Sequence, residues 1–177
     1  SKNSIIRDNT IKDGHGVSIY QAETTCLIRN HIINNTIGLH MCSSNNITVS
    51  ENFIEENGIG LCLFSSNDNF VYLNNFVNNE QQLELEDSFT NTYDNGYEGN
   101  YWSTYNGTDT DRDGIGDTNI PHQKVDWLPL MGMVRFTNIE YNEDLYEIYM
   151  ISNSTLIEGW LNETLKTLNF NVSGAYN

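Results

Sequence analysis

Gly38-Leu39-His40-Met41 and Gly60-Leu61-Cys62-Leu63 carry one pattern 22 residues apart, and that spacing runs through the first half of the chain. Gly16, Gly38 and Gly60 form a column that ends in Gln82. Asn30, Asn52 and Asn74 form another, with Asn9 one residue short of register. The apolar columns keep step: Val17, Leu39, Leu61, Leu83, then Ile19, Met41, Leu63, Leu85, then Leu27, Val49, Val71. Self-similarity at this length marks a solenoid, whose units bury their apolar faces only by stacking on each other.

Within each repeat the apolar residues alternate with period two, the mark of strands with one buried face, and Asn, Gly and Ser close every run. The pattern therefore predicts an all-β chain, a parallel β-helix of about four 22-residue coils with three short strands each. Stacked coils put identical residues in register. This gives the 27 asparagines a purpose: Asn30, Asn52 and Asn74, and in a second column Asn35, Asn57 and Asn79, are expected to hydrogen-bond as amide ladders. The column Asp8, Arg29, Glu51 alternates charge, as lateral ion pairs on a solvated face require. Ile5-Ile6 already sit in register, so further coils, a cap or a partner subunit are expected to cover the first rung.

The formal net charge of −16 argues against nucleic acid and anionic membranes as partners. Residues 79–131 hold 11 acidic side chains against 2 basic ones, a concentration that points to a cation site. No apolar run is long enough to span a bilayer. Cys26, Cys42 and Cys62 are an odd set without metal-finger spacing, although His40, Cys42 and Cys62 fall near one another and could hold copper or zinc. Sequons at Asn34, Asn46, Asn106, Asn153, Asn162 and Asn171 are glycosylation candidates.

The run Asp109-Thr110-Asp111-Arg112-Asp113-Gly114-Ile115-Gly116-Asp117 is the strongest motif. Carboxylates at loop positions 1, 3, 5 and 9 can converge on one hard cation, Gly114 permits the sharp turn, and Ile115 can offer its carbonyl. Oxygen-only donors favour Ca²⁺. Position 12 is Ile120 rather than the bidentate Glu of an EF-hand, and the flanks lack helical pattern; Asp126 is the nearest downstream carboxylate to complete the shell.

The stretch from Asn95-Gly96-Tyr97-Glu98-Gly99-Asn100-Tyr101-Trp102 through the Asp-rich loop to Asp126-Trp127-Leu128-Pro129-Leu130-Met131 resembles the end of NosD-type right-handed parallel β-helix proteins, especially archaeal cell-surface members. Arg112 stands where Gly is usual, and Asn119-Ile120-Pro121-His122 where Pro-Tyr is usual. The resemblance covers residues 1–131 and implies coils over 1–98 and an aromatic, calcium-loop cap over 99–131. Residues 132–177 are expected to form a small antiparallel element, with strands at Val134 to Phe136, Tyr146 to Ile151, Leu156 to Leu161 and Leu168 to Val172. It resembles a partial immunoglobulin-like sandwich, completed by another segment or chain.

These features together suggest an extracellular, non-enzymatic surface, sheath or filament module stabilised by calcium, with self-association, other surface proteins or polysaccharide as partners. Carbohydrate binding or processing is one alternative, with Tyr97, Tyr101, Trp102 and Tyr105 as stacking candidates. Periplasmic-type copper handling is the other. The outward columns Ser18, His40, Cys62, Glu84 and Tyr20, Cys42, Phe64, Glu86 hold no basic residue, which counts against a polysaccharide lyase, hydrolase or epimerase.

Overall fold

The computed structural model describes residues 4–135 in full and, beyond them, the backbone of four strands between Tyr141 and Ser173. The chain is all-β. Its first coil comprises β1 (Ile5–Arg7), β2 (Thr10–Lys12) and β3 (Val17–Tyr20); the second β4 (Cys26–Ile28), β5 (His31–Ile33) and β6 (Ile37–Cys42). The third comprises β7 (Thr48–Ser50), β8 (Phe53–Glu55) and β9 (Ile59–Phe64); the fourth β10 (Phe70–Tyr72), β11 (Asn75–Val77) and β12 (Gln81–Glu86). Corresponding strands pair in parallel as the sheets β1-β4-β7-β10, β2-β5-β8-β11 and β3-β6-β9-β12. Register follows the sequence repeat: Ile6 faces Leu27, Leu27 faces Val49, and Val49 faces Val71. A β-solenoid of about four turns results, as the 22-residue spacing requires.

The apolar columns fill its interior. Leu27, Val49, Val71, Ile32, Ile54, Phe76, Leu39, Leu61, Met41 and Leu63 are fully buried, each contributing about 1.5–3 kcal/mol relative to exposure. The glycine column has a physical reason. A Cβ on Gly38 would lie 2.7 Å from the carbonyl oxygen of Gly60, and one on Gly60 would lie 2.7 Å from that of Gln82. The column can end in Gln82 because the stack of that sheet ends there.

Four polar ladders tie the corners. In the first, each amide oxygen accepts from the preceding rung's backbone and side chain: Asn30 N–H and Nδ2 donate to Asn52 Oδ1 (2.9 and 3.0 Å), and Asn52 donates likewise to Asn74 (3.0 and 2.9 Å). The second joins Asn35, Asn57 and Asn79. The third uses serine hydroxyls, with Ser44 N–H to Ser66 Oγ and Ser66 N–H to Ser88 Oγ, both 3.0 Å. The fourth joins Ile47, Asn69 and Asn91. Non-glycine residues at the corners, among them Asp8, Arg29, Glu51 and Leu73, take left-handed φ of 56°, 52°, 61° and 55°. On the outside Arg29 pairs with Asp8 (3.0 Å) and Glu51 (3.3 Å), the alternation read from the sequence.

The cap continues the stack. β13 (Tyr101–Trp102) pairs in parallel with β11, Asn75 facing Tyr101 and Phe76 facing Trp102. Here the spacing is 26 rather than 22. Farther on, β14 (Tyr141–Asn142), β15 (Leu145–Ser152), β16 (Thr155–Asn162) and β17 (Thr167–Ser173) form an antiparallel meander. Three of its strands match the sequence expectation. The strand expected from Val134 does not form at Val134 and Arg135, and Phe136 lies outside the described residues. Val134 is instead held edge-on by Asn75, whose Nδ2 donates to Val134 O (2.6 Å) and whose Oδ1 accepts Val134 N–H (2.7 Å). Among the described residues no helix is long and apolar enough to cross a membrane.

Candidate metal centre in the cap

The acidic loop folds on itself because each carboxylate caps a nearby backbone N–H, the local habit of Asp in turns. Asp109 accepts from Arg112 N–H (2.6 Å) and Gly114 N–H (2.9 Å), and Asp113 from Ile115 N–H (2.8 Å). Asp117 Oδ2 accepts the N–H of Thr110 (2.6 Å) and its hydroxyl. These turns bring Asp109, Asp111 and Asp117 together, with one carboxylate oxygen from each within 4.8 Å of the others. Desolvation, then the like charges of Asp113, Asp117 and Asp109, raises the Asp111 carboxyl above its ordinary range. Asp117 is lowered, chiefly by the Thr110 hydroxyl and then its N–H. Such a set of oxygens suits a hard divalent cation, whose charge relieves the repulsion at Asp111.

The loop is tied to the end of the rod. Gly116 N–H donates to Pro129 O (2.8 Å), Met131 N–H to Gly114 O (3.0 Å), and Asp117 N–H to Thr108 O (2.9 Å). The Tyr105 hydroxyl donates to Thr118 O (2.5 Å). Two glycines make room for it, since a Cβ on Gly107 or Gly116 would lie 2.0 or 1.9 Å from that hydroxyl oxygen. Sequence reasoning missed this clamp, although Gly107 just before the loop and Gly116 within it were its visible signal.

Asp126 requires a correction. Expected beside the loop carboxylates, it is fully buried in the rod's end and outside their group. Its Oδ2 accepts from Asn100 N–H (2.8 Å), Asn100 Nδ2 (3.3 Å) and Trp102 Nε1 (2.7 Å), and Oδ1 from Leu128 N–H (3.0 Å). Asn100 in turn accepts from Asn74 N–H (3.1 Å) and Nδ2 (3.0 Å). Asp126 is therefore the last rung of the first asparagine ladder. Burial raises its carboxyl, while these donors pull it down.

Asp113 lies in the loop but outside the convergent group, and Ile115 pairs with Leu130 in an antiparallel bridge. The aromatic candidates divide. Trp102 is fully buried and stacked on Phe76 at 4.3 Å, so it plugs the rod and presents no face to a glycan. Tyr101 and Tyr105 are half-buried; Tyr97 is 80% exposed. Phe89 and Trp127, 82% and 58% exposed, were not singled out from sequence. Asn34, Asn46 and Asn106 are exposed, while the side chains of Asn153, Asn162 and Asn171 lie outside the described residues. Asn34 borders a polar groove at the second corner with Asp13, His15, Glu56 and Glu80, on coils away from the acidic loop.

Residues 1–107 match the family model described as periplasmic copper-binding protein (NosD). The chain belongs to the NosD family. No curated protein and no solved structure matches it significantly. The description raises the question of copper in this NosD member. The carboxylate group does not fit copper(I), which selects soft sulfur donors. The sulfur donors of the chain, Cys26, Cys42 and Cys62, lie on the coils instead, half-buried and free, with the imidazole of His40 on the rung next to Cys62.

Proposed function

We propose that this β-helix module is an extracellular, non-enzymatic structural or adhesive element whose cap is stabilised by calcium. The convergence of Asp109, Asp111 and Asp117 carries the reading. Three carboxylates held by backbone turns form a hard-cation set, and the Tyr105 clamp couples it to the end of the rod. Bound Ca²⁺ would fix the loop against Pro129 and Met131 and thereby the final rungs. Ladder-tied coils make a stiff rod suited to spacing or assembly. The exposed face of Tyr97 is where we place contact with a glycan or a partner.

The reading is tested by calorimetric titration with CaCl₂, by sedimentation with and without the ion, and by incubation with anionic polysaccharides. We expect one calcium site, lost in Asp111→Asn with Asp117→Asn, and no shortening of the polysaccharides. Chain cleavage of a polysaccharide that is lost on substituting a residue of this protein would refute the non-enzymatic assignment.

A further inference from the structure

The outward face of the β3-β6-β9-β12 sheet carries a column that neither the rod nor its cap uses. Ser18, His40, Cys62 and Glu84 stand on four successive rungs, His40 opposite Cys62 and Cys62 opposite Glu84. The last three are half-buried. Their order matters. Residues in register on neighbouring strands are about 4.8 Å apart, and here the shortest side chain stands between two long ones. An ion bound about 2.3 Å from Cys62 Sγ is then within reach of the imidazole from one side and the carboxylate from the other. A long side chain flanked by two short ones could not converge in this way.

The imidazole is also held from behind. The Tyr20 hydroxyl lies 3.2 Å from His40 Nδ1, with the two rings edge to face at 5.5 Å. A ligating histidine is characteristically fixed through its second ring nitrogen. In the tautomer that places the proton on Nδ1, that N–H donates to the Tyr20 hydroxyl and Nε2 keeps its lone pair for a metal.

We propose that His40 Nε2, the Cys62 thiolate and the Glu84 carboxylate bind a borderline divalent cation of the zinc class, with water in the fourth position. Three mixed nitrogen, sulfur and oxygen donors with one open position suit zinc rather than calcium. In the structure the three side-chain tips stand farther apart than a shared ion would hold them. Binding closes them by side-chain rotation on an unchanged register, and the Cys62 S–H bond gives its proton to solvent as the sulfur–metal bond forms.

The test is titration of the full chain with Co²⁺ under reducing conditions, with calcium in excess to fill the acidic loop. A thiolate ligand gives a sulfur-to-cobalt charge-transfer band; it should saturate at one equivalent and disappear on adding Zn²⁺. Cys62→Ser should abolish the band, whereas Cys42→Ser and Cys26→Ser should keep it. Glu84→Gln, and Tyr20→Phe behind the histidine, should each weaken cobalt binding about tenfold. Should Cys62→Ser fail to fold, alkylation of the unaltered chain gives the same information: zinc should protect Cys62 and leave Cys42 reactive. No saturable band, a band that survives Cys62→Ser, or protection of Cys42 instead of Cys62 would overturn the proposal.

Discussion

Trp102 Nε1 donates to Asp126 Oδ2 at 2.7 Å, and the same oxygen accepts the backbone N–H of Asn100 at 2.8 Å. A carboxylate thus ends a ladder of amides. Every earlier rung must both accept from the coil before it and donate to a backbone carbonyl, as Asn74 Nδ2 does to Val49 O (2.8 Å) and Asn100 Nδ2 to Val71 O (2.8 Å). The final rung only has to accept. Asp fits that position and no other in the ladder.

Asp126→Ala should cost about 2–4 kcal/mol, because it leaves the buried donors of Asn100 and Trp102 without an acceptor. Asp126→Asn should cost less. It keeps an oxygen for Asn100 and Trp102 but turns an NH₂ toward the Leu128 N–H. Urea unfolding followed by tryptophan fluorescence measures both.

The interior of the ladder should be more sensitive than the serine ladder beside it. Asn52 accepts two bonds from Asn30 and donates to Leu27 O, Ser50 O and Asn74. Asn52→Ala should cost about 3 kcal/mol or more, and Ser66→Ala about 1 kcal/mol. Equal midpoints in urea would contradict the ladder as a source of stability.

Tyr93 offers a test of opposite sign. Its hydroxyl is buried without a hydrogen-bond partner, and burial pushes its phenol well above the ordinary range. A group raised in the folded state contributes its full stability below its unfolded value, 10.0 here, and loses it as pH climbs further. Because the buried hydroxyl has no partner, Tyr93→Phe should stabilise the chain by about 1 kcal/mol at neutral pH. It should also remove part of the loss seen above about pH 10. Urea midpoints on either side of that pH check both effects.

Gly116→Ala should displace Tyr105, because the new Cβ would lie 1.9 Å from its hydroxyl oxygen. With the clamp to Thr118 broken, calcium affinity should fall about tenfold while the coils keep their stability. Calorimetric titration beside far-ultraviolet melting separates the two effects.

The coils were legible because one spacing governs both burial and hydrogen bonding. Asn30, Asn52 and Asn74 announce their own register, and the columns around Leu39 and Leu61 announce the core. The cap was less legible. From Asn74 to Asn100 and from Asn100 to Asp126 the step is 26 residues, and in the second step the residue type changes, so the ladder's continuation carries no repeat signature. Asp126 consequently read as one more carboxylate near an acidic loop, although its place depends on contacts with Asn100, Trp102 and Leu128. The serine ladder was hidden for another reason: Ser44, Ser66 and Ser88 keep the spacing, but serine is too common at turns to stand out. The acidic loop was visible as a motif. Which of its carboxylates converge depends on local turns, and those place Asp109, Asp111 and Asp117 together and Asp113 outside.

Melting of the unaltered chain in calcium and in chelator bears most directly on the proposal that calcium closes the rod. At a calcium concentration about a hundred times Kd, binding contributes about 2.7 kcal/mol, or roughly 5–10 °C for a chain of this size. That rise should vanish when Asp111→Asn and Asp117→Asn are combined. An identical melting temperature in calcium and in chelator would contradict the account.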